Sequence, residues 1–288
     1  MYVVAGATGQ TGKAVAESLL ARGKPVTVIV RDEAKAASWK AKGARLVQAE
    51  LEDESKLAGL LAGADGAYLL IPPIYSISNY VENRRRLAES IARAVEKSAI
   101  PHVVLLSSIA AHHASGTGII VILHHAENAF SAAAKNLTVV RASYFLENWA
   151  PLLGSVRERG VLPTFLIQDR EIPMVATQDI GTAAADALLG PPSGKRVIEL
   201  SGPEDYSPND IGRILATALG REVHVEHAPM SAVAPTFQSL GVSADVARLF
   251  AEMYAGINEG RVAFEGKGTE ARRGTTPAAE VLRGLLRV

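Results

Sequence analysis

Gly6, Gly9 and Gly12 recur at three-residue intervals in Val3-Val4-Ala5-Gly6-Ala7-Thr8-Gly9-Gln10-Thr11-Gly12, close behind Met1. A short β-rich apolar run, Tyr2 to Ala5, precedes them, and an amphipathic segment from Lys13 to Ala21, closed by Gly23, follows. Strand, glycine turn and helix in that order suit a phosphate-bearing ligand. Gly6 permits the tight turn, Gly9 lets backbone approach a pyrophosphate, and Gly12 lets helix and strand pack closely. Unpaired N–H groups and the helix dipole favour negative charge at the helix N-terminus. The stretch reads as a dinucleotide cradle.

Other residues could act beside such a ligand. Ser107 and Ser108 close a β-rich run, and in open α/β sheets ligands bind at the carboxyl ends of strands. They are candidates to hydrogen-bond a nicotinamide or a substrate carbonyl; satisfying backbone at a strand end is their other use. His112-His113 and His124-His125 invite a metal reading, but adjacent histidines on a helix point apart and zinc needs ligands at i and i+4 or a third nearby. No metal site is expected. His112 and His113, in a small-residue loop, are candidate proton donors because imidazole has a suitable pKa. Tyr144, Phe145, Asn148 and Trp149 could wall a flat substrate, joined by Tyr75; aromatics opening a helix also serve as core. Arg84-Arg85-Arg86 reads as a solvated helix face. Phe237, Leu240, Leu249, Phe250 and Tyr254 form either a lid or ordinary packing.

The elements that must position these residues alternate regularly at first. Strands are expected at 25–30, 44–48, 67–71 (ended by Pro72-Pro73), 102–106 and 137–141, with helices at about 32–42, 54–61, 79–97 and 119–135 between them. Such βα alternation with tight connections argues for a doubly wound parallel sheet. Beyond Arg141 the pattern loosens. A helix is expected to open at Tyr144, another to run from Asp179 to about Leu189, a strand to cover 197–200, and the remainder to be mostly helical. The expected division is a dinucleotide-binding domain over 1–143 and a mainly substrate-binding part over 144–288, with segments near 174–202 packing back on the sheet.

Composition narrows the function classes. Lys plus Arg and Asp plus Glu both count 30 in 288 residues, so no bulk field attracts nucleic acid or an anionic membrane. With no Cys there is no disulfide, thiolate nucleophile or Cys-ligated zinc. The aliphatic runs are too short to cross a bilayer, and no signal peptide precedes the first strand, so a cytoplasmic location is expected. Small-molecule chemistry, in a monomer or homodimer, remains.

Gly6-Ala7-Thr8-Gly9-Gln10-Thr11-Gly12, Val30-Arg31-Asp32, Leu106-Ser107-Ser108, Arg141 with Phe145-Leu146-Glu147-Asn148, and Asp179-Ile180-Gly181 follow in an order and at a spacing that resembles the NmrA-like family of atypical short-chain dehydrogenase/reductases. That family includes NAD(P)H-dependent quinone and azo reductases and a non-catalytic regulator. The resemblance covers roughly residues 1 to 228. It implies a Rossmann domain, a smaller and mostly helical C-terminal part, and a nicotinamide cleft between them. Carried onto this sequence, it places Gly6, Thr8, Gly9, Gln10 and Thr11 on the pyrophosphate side and Arg31 where the adenosine ribose is read. Arg there favours a 2′-phosphate, hence NADP(H) over NAD(H), although Asp32 beside it could serve NAD. Glu50 would reach the adenine, and Leu70, Ile71 and Pro72 would line the ribose and nicotinamide approach.

One departure bears on the chemistry. With Glu127 set against the family's helix glutamate, the Tyr-x-x-x-Lys positions of ordinary short-chain dehydrogenases hold apolar residues, and no tyrosine lies on that helix. Alcohol oxidation without a base is slow, whereas reducing a quinone-like or other planar conjugated acceptor needs mainly the cofactor's hydride. An NADPH-dependent reductase of such acceptors is the expectation. The rival is an NADP(H)-sensing regulatory protein without turnover.

Overall fold

A computed structural model describes residues 1–32 and 36–287. Its first part alternates strand and helix: β1 (Tyr2–Val4), α1 (Gln10–Ala21), β2 (Val26–Val30), α2 (Ser38–Ala41), β3 (Arg45–Gln48), α3 (Glu54–Leu61), β4 (Gly66–Leu69), α4 (Tyr80–Ser98), β5 (Val103–Ser108), α5 (Val121–Ala133) and β6 (Leu137–Ala142). The second part runs β7 (Tyr144–Phe145), α6 (Leu153–Arg159), β8 (Val161–Thr164), β9 (Ile172–Val175), α7 (Thr177–Leu189), β10 (Lys195–Ser201), β11 (Asp205–Tyr206), α8 (Pro208–Leu219), β12 (His224–His227), α9 (Val233–Ser239), α10 (Ala244–Glu259), β13 (Glu270–Arg273) and α11 (Ala278–Leu286).

Eight strands form the main sheet in the order β13-β10-β6-β5-β4-β1-β2-β3, every neighbouring pair parallel. The order reverses between β1 and β4, which opens a crevice at their carboxyl ends where such sheets bind ligands. Both faces are covered, so central strands read as continuous apolar runs: Val-Thr-Val-Ile-Val of β2 is buried throughout. Under one face, α3, α4 and α5 pack Leu57, Leu61, Leu87, Ile91 and Phe130 on the sheet. Over the other lie α1 and α7, where a Cβ on Gly181 would stand 2.4 Å from the Ala14 Cβ, so these helices touch only because residue 181 is glycine. A third apolar cluster, from Leu146 and Trp149 to Leu282, is the core of the C-terminal part.

Residues beyond 143 also complete the sheet. β10 joins β6 and β13 adds the edge, while α7 packs on α1. β13 escapes the sequence pattern because Glu270-Ala271-Arg272-Arg273 has no apolar alternation; its pairing to one neighbour supplies the strand. The helix expected to open at Tyr144 is instead a two-residue strand followed by a 3₁₀ turn over Leu146–Leu152. Pro151 lies inside that turn, lacks an N–H and would clash with the carbonyl four residues back in an α-helix. The helix expected over 32–42 survives as α2; residues 33–35 lie outside the described residues. Arg84 is not on a solvated face. It is 4% exposed, and its Nη1 donates to the Pro72 carbonyl at 3.1 Å.

At the amino end of the sheet, His102 is 3% exposed with Nε2 3.0 Å from Thr138 Oγ1. Burial, assisted by Arg196, holds its pKa below the ordinary imidazole value. The unfolded chain therefore binds a proton that the fold resists. This contribution is complete above the unfolded pKa of about 6.5 and is lost as pH falls towards the lower folded value. The urea midpoint should fall between pH 7 and pH 5.5, and His102→Gln should flatten that slope.

Candidate functional site

The glycine turn sits at the carboxyl end of β1 and leaves no room for a side chain at Gly6 or Gly12. A Cβ on Gly12 would lie 2.4 Å from the carbonyl carbon and oxygen of Gly6 and 2.5 Å from the Ala5 oxygen. Gly6 has φ +69°, and a Cβ there would meet Leu70 Cδ2 at 2.7 Å. Gly9 caps α1 with no side-chain hydrogen bond, and no acidic residue occupies the first turn. Among the described residues the leading N–H groups of α1 have no side-chain cap, and they lie at the carboxyl end of β1, a ready anion site. Thr8, Gly9 and Gln10 are exposed around it, and Thr11 and Gly12 are buried beneath. These residues fit a pyrophosphate.

The other residues expected on the nucleotide line the same crevice edge. Arg31 is exposed beyond β2, with no ion pair for its guanidinium among the described residues; its carbonyl accepts from Gln48 Nε2 at 2.9 Å. Glu50 is exposed past β3. Leu70 and Pro72 are half-buried and Ile71 is buried past β4. Behind them, the buried Arg84 fixes the Pro72 carbonyl.

At the carboxyl ends of β5, β6 and β10 lies a buried ionic cluster. Arg141 Nε and Nη2 donate to the two Glu127 oxygens at 3.0 and 2.7 Å, and Nη1 donates to Glu265 at 2.6 Å, with Glu199 3.8 Å away. Burial pulls the Arg141 pKa down, but Glu127 and Glu265 reverse this and leave it raised. Glu265 is held below the usual carboxylate range by Arg141. Glu199 accepts from the Glu265 and Gly266 amides and from Thr269 Oγ1, which fastens residues 265–269 to the sheet. Ser107, 2% exposed, donates to Glu127 at 2.5 Å. Its proton is committed there, and half-buried Ser108 is the more accessible of the pair.

His112 and His113 are half-buried beyond β5, their ring centroids 3.9 Å apart. Burial, then His113, lowers the His112 pKa, so its ring is neutral at neutral pH, and its Nδ1 is buried without a partner. Among the described residues no group of three or more His, Asp or Glu could hold a metal ion. No described helix is long and apolar enough to cross a membrane.

Aromatic rings cluster against the loop that follows β4. Tyr75, 41% exposed, meets Phe250 at 5.3 Å; Phe250 stacks on Phe237 at 4.2 Å and 8°; Tyr254 lies 6.2 Å further. Ser243 Oγ donates to the Ile77 carbonyl at 2.7 Å, the Ser243 amide donates to the Tyr75 carbonyl at 2.9 Å, and Asp245 accepts from the Tyr80 amide at 2.8 Å. These bonds hang α10 on the loop after β4. The Tyr144 hydroxyl interacts with Tyr254 and Asn148, and burial, then Tyr254, raises its pKa well above the ordinary phenol value. Phe145 is half-buried and Asn148 exposed, while Trp149, at 1% exposure, belongs to the core behind the wall and presents no face to a ligand. Tyr254 and Phe237 join the site only through tertiary structure; aromatic spacing on α9 and α10 was the one available signal. Glu147 and Asp179, part of the motifs singled out in the sequence, are structural. Glu147 accepts from the Thr177 amide and hydroxyl and so caps α7, and Asp179 accepts from both groups of Thr276 ahead of α11.

Parallel sheet, switch-point crevice and the glycine turn after β1 define a Rossmann-type dinucleotide-binding protein. Residues 2–268 match the model of the NmrA-like family, and the chain belongs to that family. It is 24% identical over 294 aligned residues to quinone oxidoreductase 2 of Escherichia coli strain K12, covering 100% of this chain and 99% of that one. To the NAD(P)H azoreductase of Xenophilus azovorans it is 23% identical over 257 residues, 88% of this chain and 86% of the other. Among solved structures, the E. coli NADPH-dependent quinone oxidoreductase complexed with NADPH superposes with TM-score 0.82 at 24% identity over 99% of both chains. The Citrobacter sp. triphenylmethane reductase complexed with NADP(H) gives TM-score 0.81 at 19% identity, over 99% of this chain and all of the other.

Removing one member of a buried ion pair strands the others. Arg141→Met should cost about 3 to 5 kcal/mol in urea unfolding, and adding Glu127→Gln should recover part of the loss.

Proposed function

We propose that the protein is an NADPH-dependent oxidoreductase whose acceptor is a quinone-like or other planar conjugated small molecule. The observation that carries the reading is the glycine turn: backbone leaves no room for a Cβ at Gly12, and the N-terminus of α1 has no side-chain cap. The azoreductase and quinone oxidoreductase names of the relatives support the acceptor class. Bound NADPH supplies the hydride.

The chain's own residues bind, orient and protonate. The amides of Gln10, Thr11 and Gly12 and the hydroxyl of Thr8 hold the pyrophosphate, Arg31 reads the 2′-phosphate, and Glu50 faces the adenine. Leu70, Ile71, Pro72 and Ser108 line the ribose and nicotinamide. Tyr75, Tyr144, Phe145 and Asn148 with the Phe237–Phe250 stack exclude water and offer flat surface to a flat acceptor. The Tyr144 hydroxyl, protonated as any phenol is at neutral pH and set beside Tyr254 and Asn148, donates a hydrogen bond to the acceptor oxygen. Of the two histidines expected as donors, His112 is left neutral and carries no acidic proton, so His113 is the alternative proton source. The absence of tyrosine from α5 is consistent with a reaction that gives the acceptor a proton and asks no base to remove one. We read the assembly as a monomer or homodimer and the compartment as cytoplasmic.

Steady-state NADPH oxidation with a panel of quinones and azo dyes tests the activity; tight NADPH binding without turnover on any acceptor would refute it. Arg31→Ala should weaken NADPH by about 1.5 kcal/mol, the lower end for a charge-assisted contact because the site is exposed, and leave NADH nearly unchanged. Equal losses for both cofactors would show that Arg31 does not read the phosphate.

A further inference from the structure

His124 and His125 belong to no metal-binding group among the described residues, and in the fold His124 grips the loop that follows β5. Its Nδ1 lies 3.0 Å from the Ala111 carbonyl oxygen, and its Nε2 lies 3.0 Å from Asn128 Nδ2, one turn further along α5. A carbonyl only accepts, so Nδ1 carries the ring proton and Nε2 accepts from the Asn128 amide. The loop held in this way is two turns in succession. The Ala111 amide donates to the Ser108 carbonyl at 3.1 Å, and the His113 amide donates to the Ala110 carbonyl at 3.1 Å. Ala110 has no exposed surface and φ +65°, at the third place of the first turn, where glycine is the ordinary residue. A non-glycine residue keeps that conformation only where its surroundings over-determine it.

The peptide between Ala111 and His112 is the middle peptide of the second turn. Its orientation is what separates turn types I and II, and the closing hydrogen bond between residues 110 and 113 does not set it. The bond from His124 does, and with it the directions in which the His112 and His113 side chains leave the backbone. We propose that His124 is a positioning residue for proton delivery: it locks this peptide so that the His113 ring stands against the acceptor. The proposal rests on the reading of His113 as a proton source, and it assigns the proton to His113 while the Tyr144 hydroxyl orients the acceptor. Ser108, on the nicotinamide side, is held by the β5–β6 ladder and not by this clamp. Loss of the clamp therefore acts on turnover and not on NADPH affinity.

The test compares the wild type, His124→Leu, His124→Asn, His113→Asn and the His124→Leu/His113→Asn double variant by NADPH-dependent reduction of a benzoquinone, by NADPH titration and by amide NMR spectra of the ligand-free proteins. Asparagine carries a side-chain N–H about where the histidine Nδ1–H stands, so His124→Asn retains the bond to Ala111. His124→Leu should lower kcat about ten- to a hundredfold, the scale of an ångström's misplacement of a reacting group, and shift the amide signals of Ala111 to His113 with NADPH affinity unchanged. His124→Asn should recover most of the rate and the wild-type positions of those signals. On the His113→Asn background, His124→Leu should add nothing. Unchanged kcat in His124→Leu overturns the proposal, as does an equal loss in His124→Asn, a parallel loss of NADPH affinity or an additive loss in the double variant. Wild-type kcat in His113→Asn removes the proton-source reading and the proposal with it. A wild type that binds NADPH but reduces no acceptor removes the oxidoreductase reading and the proposal alike, and these two rates show which has failed.

Discussion

The contact of Gly12 with the backbone of Ala5 and Gly6 is the constraint on which the rest is built. With a hydrogen in place of a Cβ, α1 comes down directly on the end of β1, and its free amides then open into the crevice between β1 and β4. Any larger residue would lift the helix and move those amides away from the place where an anion must sit. Gly181 repeats the device one layer out, letting α7 lie on α1 and brace it. Cradle and support are thus two glycine contacts in series, the first against backbone alone and the second against the backbone and Cβ of Ala14.

Against that rigid cradle, the chemistry is distributed. Ser107 stands near the expected cofactor but is drawn into the Arg141–Glu127 cluster, which binds β5, α5 and the 265–269 segment into one block. A carboxylate-rich cluster around one arginine is weak evidence for stability, since desolvation offsets much of the attraction. Its effect is geometric: it fixes the floor beside which Tyr144 and the aromatic cluster stand.

Much of this was legible in the sequence, for physical reasons that also mark where legibility stops. The cradle shows because glycine spacing, a β-branched run and an amphipathic helix are local signals, and β2 shows because a strand buried on both faces must be apolar throughout. β13 does not show, since its pairing comes from a neighbour and its own residues carry no pattern. The segment from Tyr144 reads as helical, and Pro151 keeps it a 3₁₀ turn after a two-residue strand. Arg84 reads as surface beside Arg85 and Arg86, yet α4 turns it inward beneath Pro72, and only the fold reveals which of three consecutive arginines faces inward. Of the candidate site, the nucleotide side was accessible from motif and spacing. Tyr254 and Phe237 were legible only as aromatics that form either a lid or ordinary packing, because no local signal says what a helix face meets in the fold.

The hydrogen bonds that hang α10 on the loop after β4 have a further consequence. Ser243 and Asp245 engage the Tyr75 and Ile77 carbonyls and the Tyr80 amide, all main-chain groups. Of the loop's side chains, the Tyr75 ring adds an edge contact with Phe250, Ile77 packs in the same apolar cluster, and Asn79 takes a left-handed backbone conformation at φ +53° ahead of α4. Ser76 and Ser78 are exposed and outside these contacts, so the loop can change its chemistry at those two positions while its hold on α10 stays as it is.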